Sequence, residues 1–308
     1  LGPFAGESRQ FVFGFRGRMD EKIDLSRGVF DGQYLYIRNY LPHRPQGQHL
    51  AYMFQTPTTR VWRKMFDEGR LTPAQAFFWN SKPAEELYDV RSDPDQIRNL
   101  AQNRDFDETL ARLRTAQQEW CRSIRDVGFL PEGDMHRRTQ GRSPRDLTEG
   151  EYPYDRVFRA ANQAASFDQE SRNSLIQDLA DADPAVRYWG ATGLLIRGGP
   201  AVVAAQAELT RSMNESAPEV ALVAAEALVR YGPKEGRQKA MARLIELADC
   251  RRQDVFTVIA ALNSLCAIEL PNTPRDTISQ SSRRCEVPHP RYAEYAGRLV
   301  KELAKDLP

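Results

Sequence analysis

Cysteine and histidine are scarce in this 308-residue sequence, with four of each. Cys121, Cys250, Cys266 and Cys285 form no C-x-x-C pair, which excludes a zinc ribbon or a thioredoxin-like motif. Four scattered cysteines do not build a disulfide scaffold. Two could still pair, since Cys285 lies in a polar stretch within chain reach of Cys266 or Cys250. The histidines, His43, His49, His136 and His289, form no H-x-x-x-H or H-E-x-x-H, so no self-contained zinc site is expected. Charge of one sign is also lacking. Lys+Arg is 43 and Asp+Glu is 42, a net charge of +1, without the basic excess of a general nucleic-acid binder. No run of ~18 apolar residues exists to span a membrane. The longest apolar stretch, VFTVIAAL at 255–262, suits a buried helix. Position 1 is Leu, and neither a charged n-region nor an apolar h-region follows. The chain is therefore expected to be a piece of something longer.

What is present is a globular composition, 41% hydrophobic and 28% charged. At ~100–200 residues per domain the length suggests two domains. Residues 166–308 are rich in Ala and Leu at helical spacing, broken at Asp183-Pro184, Gly199-Pro200, Ala217-Pro218 and Gly232-Pro233. They also repeat. Leu194, Leu228 and Leu262 are each 34 apart, as are Leu179, Met213 and Leu247. Gly190, Ala224 and Val258 keep the same step, and so do Tyr188, Leu222 and Phe256. The unit predicted is a helix pair. Outer helices fall at about 168–181, 201–214 and 236–249, and inner helices at about 185–197, 218–231 and 253–267. A tetratricopeptide W-x-x-L-G-x-x-Y pattern is missing. DPAVRYWGATGLL at 183–195 and APEVALVAAEALV at 217–229 instead resemble the second helix of HEAT-like repeats. Residues 271–288 read as a polar loop. A final helix at about 290–306, with Tyr292, Tyr295, Leu299 and Leu303 on one side, reads as a cap. Such a solenoid is read as structural or protein-binding.

The first half reads as sheet and helix. FVFGF at 11–15 and EELYDV at 85–90 are strand-like, and residues 25–40 form two strand-like runs around Asp31-Gly32, a strong hairpin signal. Residues 41–49 are a Pro-rich loop. Short helices are predicted at 58–69 and 73–78, the second capped by Thr72. An amphipathic helix at 104–125 sets Leu110, Leu113, Ala116, Trp120 and Ile124 on one face. A small antiparallel sheet packed by that helix would bury Trp120, Phe129 and the hairpin's Tyr and Ile residues. The expected fold is thus an α+β subdomain at 1–138, a linker at 139–165, and an all-α HEAT-like solenoid at 166–308.

One segment is specific. KPAEELYDVRSDPDQIRNLAQN at 82–103 resembles the C-terminal signature of the sulfatases, an E-L-Y-D strand followed by D-P-x-E-x-x-N-L-A. The matching residues are Glu86-Leu87-Tyr88-Asp89, Asp93-Pro94 and Asn99-Leu100-Ala101, with Gln96 replacing the family's acidic residue. The hairpin SRGVFDGQYLYIRNY at 26–40 is similar to the family's R-x-v-r-d-g-x-y-K-Y-I-x-N, with Leu35 where Lys is common. TPTTRVWRKMFDEG at 56–69 is laid out as in the heparan N-sulfatase branch. The resemblance covers about residues 8–130 and implies the C-terminal part of an alkaline-phosphatase-like fold.

It also implies what to look for. Sulfatases of this type use a formylglycine made from Cys in C-x-P-S-R or C-x-A-x-R, beside a divalent cation, usually calcium. Here Cys121-Arg122-Ser123-Ile124-Arg125 has Cys and Arg at the right spacing but Ser123 in place of Pro or Ala. No catalytic or metal-binding residue is therefore assigned, and calcium is expected only for an intact enzyme. The substrate-binding candidates are Arg16, Arg18, Asp20 and Glu21, which would flank the cleft, and His43 and Arg44, which with His49 sit on the loop after the hairpin. Arg16 and Arg18, two apart, would leave one strand face as an anion site, with Phe15 and Met19 toward the core. The plainer alternatives are an Arg18–Asp20 ion pair at a strand end and simple loop residues at 43–49. The resemblance implies a sulfated carbohydrate as substrate, a possible protein partner on the repeats, and a periplasmic or secreted location. A non-catalytic scaffold carrying a degenerate sulfatase-like subdomain is the alternative function.

Overall fold

The computed structural model describes residues 9–268 and 290–303. The polar stretch 271–288, with Cys285, and His289 lie outside the described residues.

Four short strands, β1 (Val12–Arg16), β2 (Ser26–Phe30), β3 (Tyr34–Asn39) and β4 (Glu85–Asp89), form an antiparallel sheet in chain order. The hairpin forms at Asp31-Gly32. Gly32 takes φ +99°, and the Asp31 carboxylate accepts from the backbone N–H of Gln33 and Tyr34 at 2.9 and 2.7 Å. The register aligns Phe13, Val29, Tyr36 and Leu87 in one row across all four strands. Alternation puts that row on one face, where Leu110, Leu113 and Ala116 of a long helix cover it. Ile37 pairs with Gly28 and Glu86 on the other parity, so it faces away from this core, contrary to expectation.

Six helices belong to the first half and the segment after it: α1 (Ala51–Gln55), α2 (Pro57–Asp67), α3 (Pro73–Ala76), α4 (Asp107–Ser123), α5 (Glu132–Thr139) and α6 (Tyr154–Ala164). The long helix is α4. Thr72 caps α3 as predicted, with a reciprocal bond to Gln75. Ile124 is exposed because α4 ends at Ser123 and Arg125 turns the chain at φ +45°. The stretch 139–165, expected as a linker, carries α6. Tyr152, Tyr154, Val157 and Phe158 are all buried, and Phe129 joins their cluster instead of the sheet's. The polar residues of that stretch masked an aromatic cluster dense enough to fold.

The signature segment has a plain structural task. The Asn99 side chain accepts from the Leu87 and Ala101 N–H groups at 2.9 and 3.0 Å and donates to the Glu85 carbonyl at 3.1 Å. It clamps the chain after β4 back onto β4, while Asp93 accepts from the N–H groups of Ile97 and Arg98. Asn99→Ala orphans three backbone groups and is expected to cost about 1–3 kcal/mol. A urea denaturation midpoint equal to the parent's would show that the clamp is dispensable.

The rest is helical: α7 (Arg172–Asp178), α8 (Pro184–Arg197), α9 (Gly199–Ala204), α10 (Gln206–Met213), α11 (Pro218–Tyr231), α12 (Lys234–Leu247), α13 (Val255–Ala267) and α14 (Pro290–Leu303). α8, α11 and α13 are the predicted inner helices. The second outer helix is broken at Ala205 into α9 and α10. Asp183 caps α8, its carboxylate accepting from Ala185 N–H at 2.8 Å, and Asp254 caps α13 through Phe256 and Thr257. Gly190 explains its place in the repeat: a Cβ there would lie 2.9 Å from the Leu175 carbonyl oxygen of α7. Ala224, Val258 and all three leucines 194, 228 and 262 are buried. One hydrophobic cluster runs from Leu25, Tyr40 and Leu41 of the first half to Leu299 of α14. Cys250 is disulfide-bonded, whereas Cys121 is a free thiol.

Candidate functional site

The sheet end, the loop after β3 and the inner helices enclose a cavity of about 440 Å³. Three predicted residues line it: Arg18, His43 and Arg44. Arg16, Asp20 and Glu21 do not, so the six candidates are not one site.

The expected anion stripe of Arg16 and Arg18 does not form. β1 ends at Arg16, and beyond Gly17 strand parity no longer holds. Arg16 lies 3.6 Å from the buried Asp24 carboxylate, which also pairs with Lys82 and, at 3.7 Å, with Lys22. Burial pulls the Lys22 ammonium down to about 8 despite the attraction of Asp24. Arg16, Asp24 and Lys82 border a second, smaller cavity of about 240 Å³ on the open sheet face. Arg18 makes a two-pronged pair with Glu132, its Nη2 donating to Oε1 at 2.9 Å, and Nη1 donates to the Asp20 carbonyl at 2.8 Å. The guanidinium also sits 5.2 Å from the Tyr292 ring centre. Thus Arg18 is in an ion pair, with Glu132 where the sequence suggested Asp20. Phe15 and Met19, expected in the core, are 79% and 39% exposed.

Glu21 is fully buried. Its carboxylate accepts from Ala51 N–H at 3.3 Å and lies 3.5 Å from Arg298, and its carbonyl accepts from Asn263 at 2.6 Å. It ties the first half to α13 and α14 and is closed to a sugar hydroxyl. Asp20 takes φ +51° in the tight turn closed by the Met19–Lys22 bridge. His49 lies 3.1 Å from Glu302.

Arg44 is the centre of a buried network. Its Nη2 donates to Glu226 Oε2 and, at 3.3 Å, to the Ser264 hydroxyl. Glu226, wholly buried on α11, also takes Arg230 Nε at 2.9 Å and the Ser264 hydroxyl at 2.5 Å. Arg44 Nη1 and His43 Nδ1 are buried with no hydrogen-bond partner among the described residues. Burial first, then the nearby charges of Arg44, Arg230 and Lys82, hold the His43 imidazole well below its ordinary range. It is neutral at pH 7.

The helical wall of the cavity follows the repeat. Tyr188, Leu222 and Phe256, and again Thr192, Glu226 and Ala260, are spaced by 34 residues, and all six line it. The first column was legible in the sequence but read as core. The second was missed. Its signal was Glu226 itself, a lone carboxylate in the apolar run VALVAAEALV.

Cys121 is ruled out as a nucleophile. It is fully buried in α4, takes a hydrogen bond from Gln117 at 3.0 Å, and burial together with Asp126 pushes its thiol up to about 12. Among the described residues no group of three or more His, Cys, Asp or Glu side chains could hold a metal ion. No helix of the described residues is long and apolar enough to cross a membrane.

With the signature strand, its Asn99 clamp and the covering helix in place, a comparison with characterised proteins is decisive for part of the chain. Over 136 residues it is 33% identical to an ulvan-active sulfatase of Formosa agariphila. Part of this chain is thus related to a sulfatase. The match covers 44% of the chain and 23% of the relative's length, so the chain aligns with less than a quarter of that enzyme. No protein-family model matches the chain. The small four-stranded antiparallel sheet with its helices is compatible with an α+β sulfatase subdomain followed by further helices.

Proposed function

We propose that this chain is the C-terminal part of a formylglycine-dependent sulfatase of the heparan N-sulfatase-like branch, continued by a HEAT-like helical domain. The observation that carries the reading is the signature segment 86–101, which folds as a clamp on β4, together with the 136-residue match to a sulfatase. On this reading the nucleophile and the calcium site lie N-terminal to Leu1. The substrate is a sulfated carbohydrate, of which ulvan is one candidate class, cleaved at a sulfate ester or N-sulfate. Secretion or the periplasm is the matching location, and the helical repeats are the part of the chain that would take a protein partner. Among the six candidate residues, Arg16 and Arg18 keep a place at the border of the substrate cleft, each already held by a carboxylate.

The 308-residue chain alone is expected to show no turnover of 4-methylumbelliferyl sulfate in the presence of calcium, because Cys121 is buried and protonated. The same chain expressed with its upstream coding sequence is expected to be active, with a C-x-P-S-R or C-x-A-x-R motif there. Turnover by the chain alone would overturn the division. An upstream sequence lacking that motif would favour the non-catalytic scaffold.

Arg18→Ala is expected to destabilise the chain by about 1–3 kcal/mol, since it breaks a charge-assisted pair and exposes Glu132 unpaired. In the longer protein, an unchanged KM beside that loss would remove Arg18 from substrate recognition and leave it structural. A raised KM in Arg18→Lys at unaltered melting temperature would keep it there.

A further inference from the structure

The cavity between the sheet half and the inner helices has features that the sulfatase reading does not use. We infer that it is a binding site for a small amphipathic monoanion, with one carboxylate or sulfate-type head on Arg44 and His43 and an apolar body along the inner helices. The inference stands whether or not the intact protein hydrolyses sulfate.

Charge is the first ground. Glu226 is shared by two guanidiniums, the buried Arg44 and the quarter-exposed Arg230, so this network carries one positive charge more than it neutralises. A surplus charge in a low-dielectric interior attracts a counter-ion strongly. The other acids lining the cavity each have a cation: Glu132 has Arg18, Asp126 has Arg27, Asp24 has Lys82 and Glu219 has Arg137. Unmet valence is the second ground. Arg44 is 8% exposed, and its Nη1 points to no partner among the described residues, beside an equally unpartnered His43 Nδ1. Such donors are rarely left open when buried, and an oxoanion is the group that satisfies a guanidinium edge. A neutral imidazole can add one N–H to the same head.

Shape is the third ground. The lining is mostly apolar, with Phe15, Leu41, Phe129, Leu222 and Phe256 among it. A volume of about 440 Å³ suits a small organic molecule better than a bare ion. Glu219 and Glu226 are seven residues apart on α11, so the apolar stretch between these polar points runs ~10 Å at 1.5 Å per residue. That is the length of a two-ring aromatic or a medium acyl chain. Phe15, at 79% exposure on the cavity rim, is an aromatic surface with no core to cover. A sugar would need a dense set of hydrogen-bonding groups that this wall does not offer.

The test is calorimetric titration of the 308-residue chain with 2-naphthoate, naphthalene-2-sulfonate, neutral 2-naphthamide and galactose 6-sulfate. The expected result is one-to-one binding of at least one naphthyl anion, tenfold or more tighter than the amide and the sugar sulfate. Preference for the carboxylate or the sulfonate tells which head group the site takes. Ala260→Trp, which fills the cavity without touching a charge, is expected to abolish binding while the melting temperature holds. Arg44→Met is expected to erase the preference for anion over amide. Equal affinity for the amide, tighter binding of the sugar sulfate, or binding undiminished in a folded Ala260→Trp would each overturn the inference. The comparison of ligands on the unaltered chain needs no variant to fold.

Discussion

Glu226→Ala is expected to cost about 3–5 kcal/mol of stability, the range for removing one partner of a buried ion pair. The carboxylate is wholly buried and accepts from Arg44, Arg230 and the Ser264 hydroxyl. Truncation leaves Arg44 without a counter-charge under the helices, where its own Nη1 is already unpaired. Arg230 suffers less, since a quarter of its side chain reaches solvent and its Nη2 donates to the Ala267 carbonyl at 2.8 Å. The loss should therefore fall on Arg44. Guanidinium-chloride unfolding checks the size. Glu226→Leu combined with Arg44→Met is expected to recover much of it, because a buried pair is often replaced by apolar side chains at little net cost. A midpoint that stays put in Glu226→Ala would mean that water reaches the network and screens it.

The same residue bears on how the two halves join. Arg44–Glu226 is one of several bonds across the junction. Asn263 donates to the Glu21 carbonyl, Trp189 Nε1 donates to the Phe129 carbonyl at 2.9 Å, and Arg138 holds Asp183 at 2.8 and 2.9 Å. None of these pairs is visible as a sequence pattern. They are long-range, and neither partner of a bond, taken alone, signals the other. The local elements were legible because their signals are local. Asp31-Gly32 fixes a hairpin, Thr72-Pro73 a helix start, and the spacing of Leu110, Leu113 and Ala116 a helix face. The segment 139–165 was not, because its polar residues outnumber the few aromatics that bury it. The candidate site failed for a related reason. Parity along β1 was extended to Arg18, two residues past the strand's last residue, and a backbone turn cannot be read from alternation. His43 and Arg44 were singled out because a Pro-rich loop after a hairpin is a common place for binding groups, and they line the large cavity. Their partners on α11 and α13 were hidden by the assumption that an inner helix of a repeat has only core on it.

Leu228→Ala is expected to lower stability by about 2–5 kcal/mol, the range for deleting a buried leucine side chain. Leu228 sits on α11 in the column with Leu194 and Leu262, and all three are buried in the one large cluster. α11 is enclosed on two sides. Leu222 and Glu226 face the cavity, and Leu228, at least two residues further on, lies on the side packed by neighbouring helices. A side chain held between helices cannot be replaced by water when it is truncated, so the cavity term adds to the transfer term. The upper part of the range applies if the flanking helices keep their spacing, and the lower part if they close in. Val203→Ala on α9 is the matching control, since Val203 is 58% exposed and should shift stability by no more than ~0.5 kcal/mol. Equal effects of the two substitutions on the urea midpoint would show that the 34-residue column does not mark the packed side of the helices. A large loss at Leu228 beside a negligible one at Val203 ties the period in the sequence to the packing in the fold.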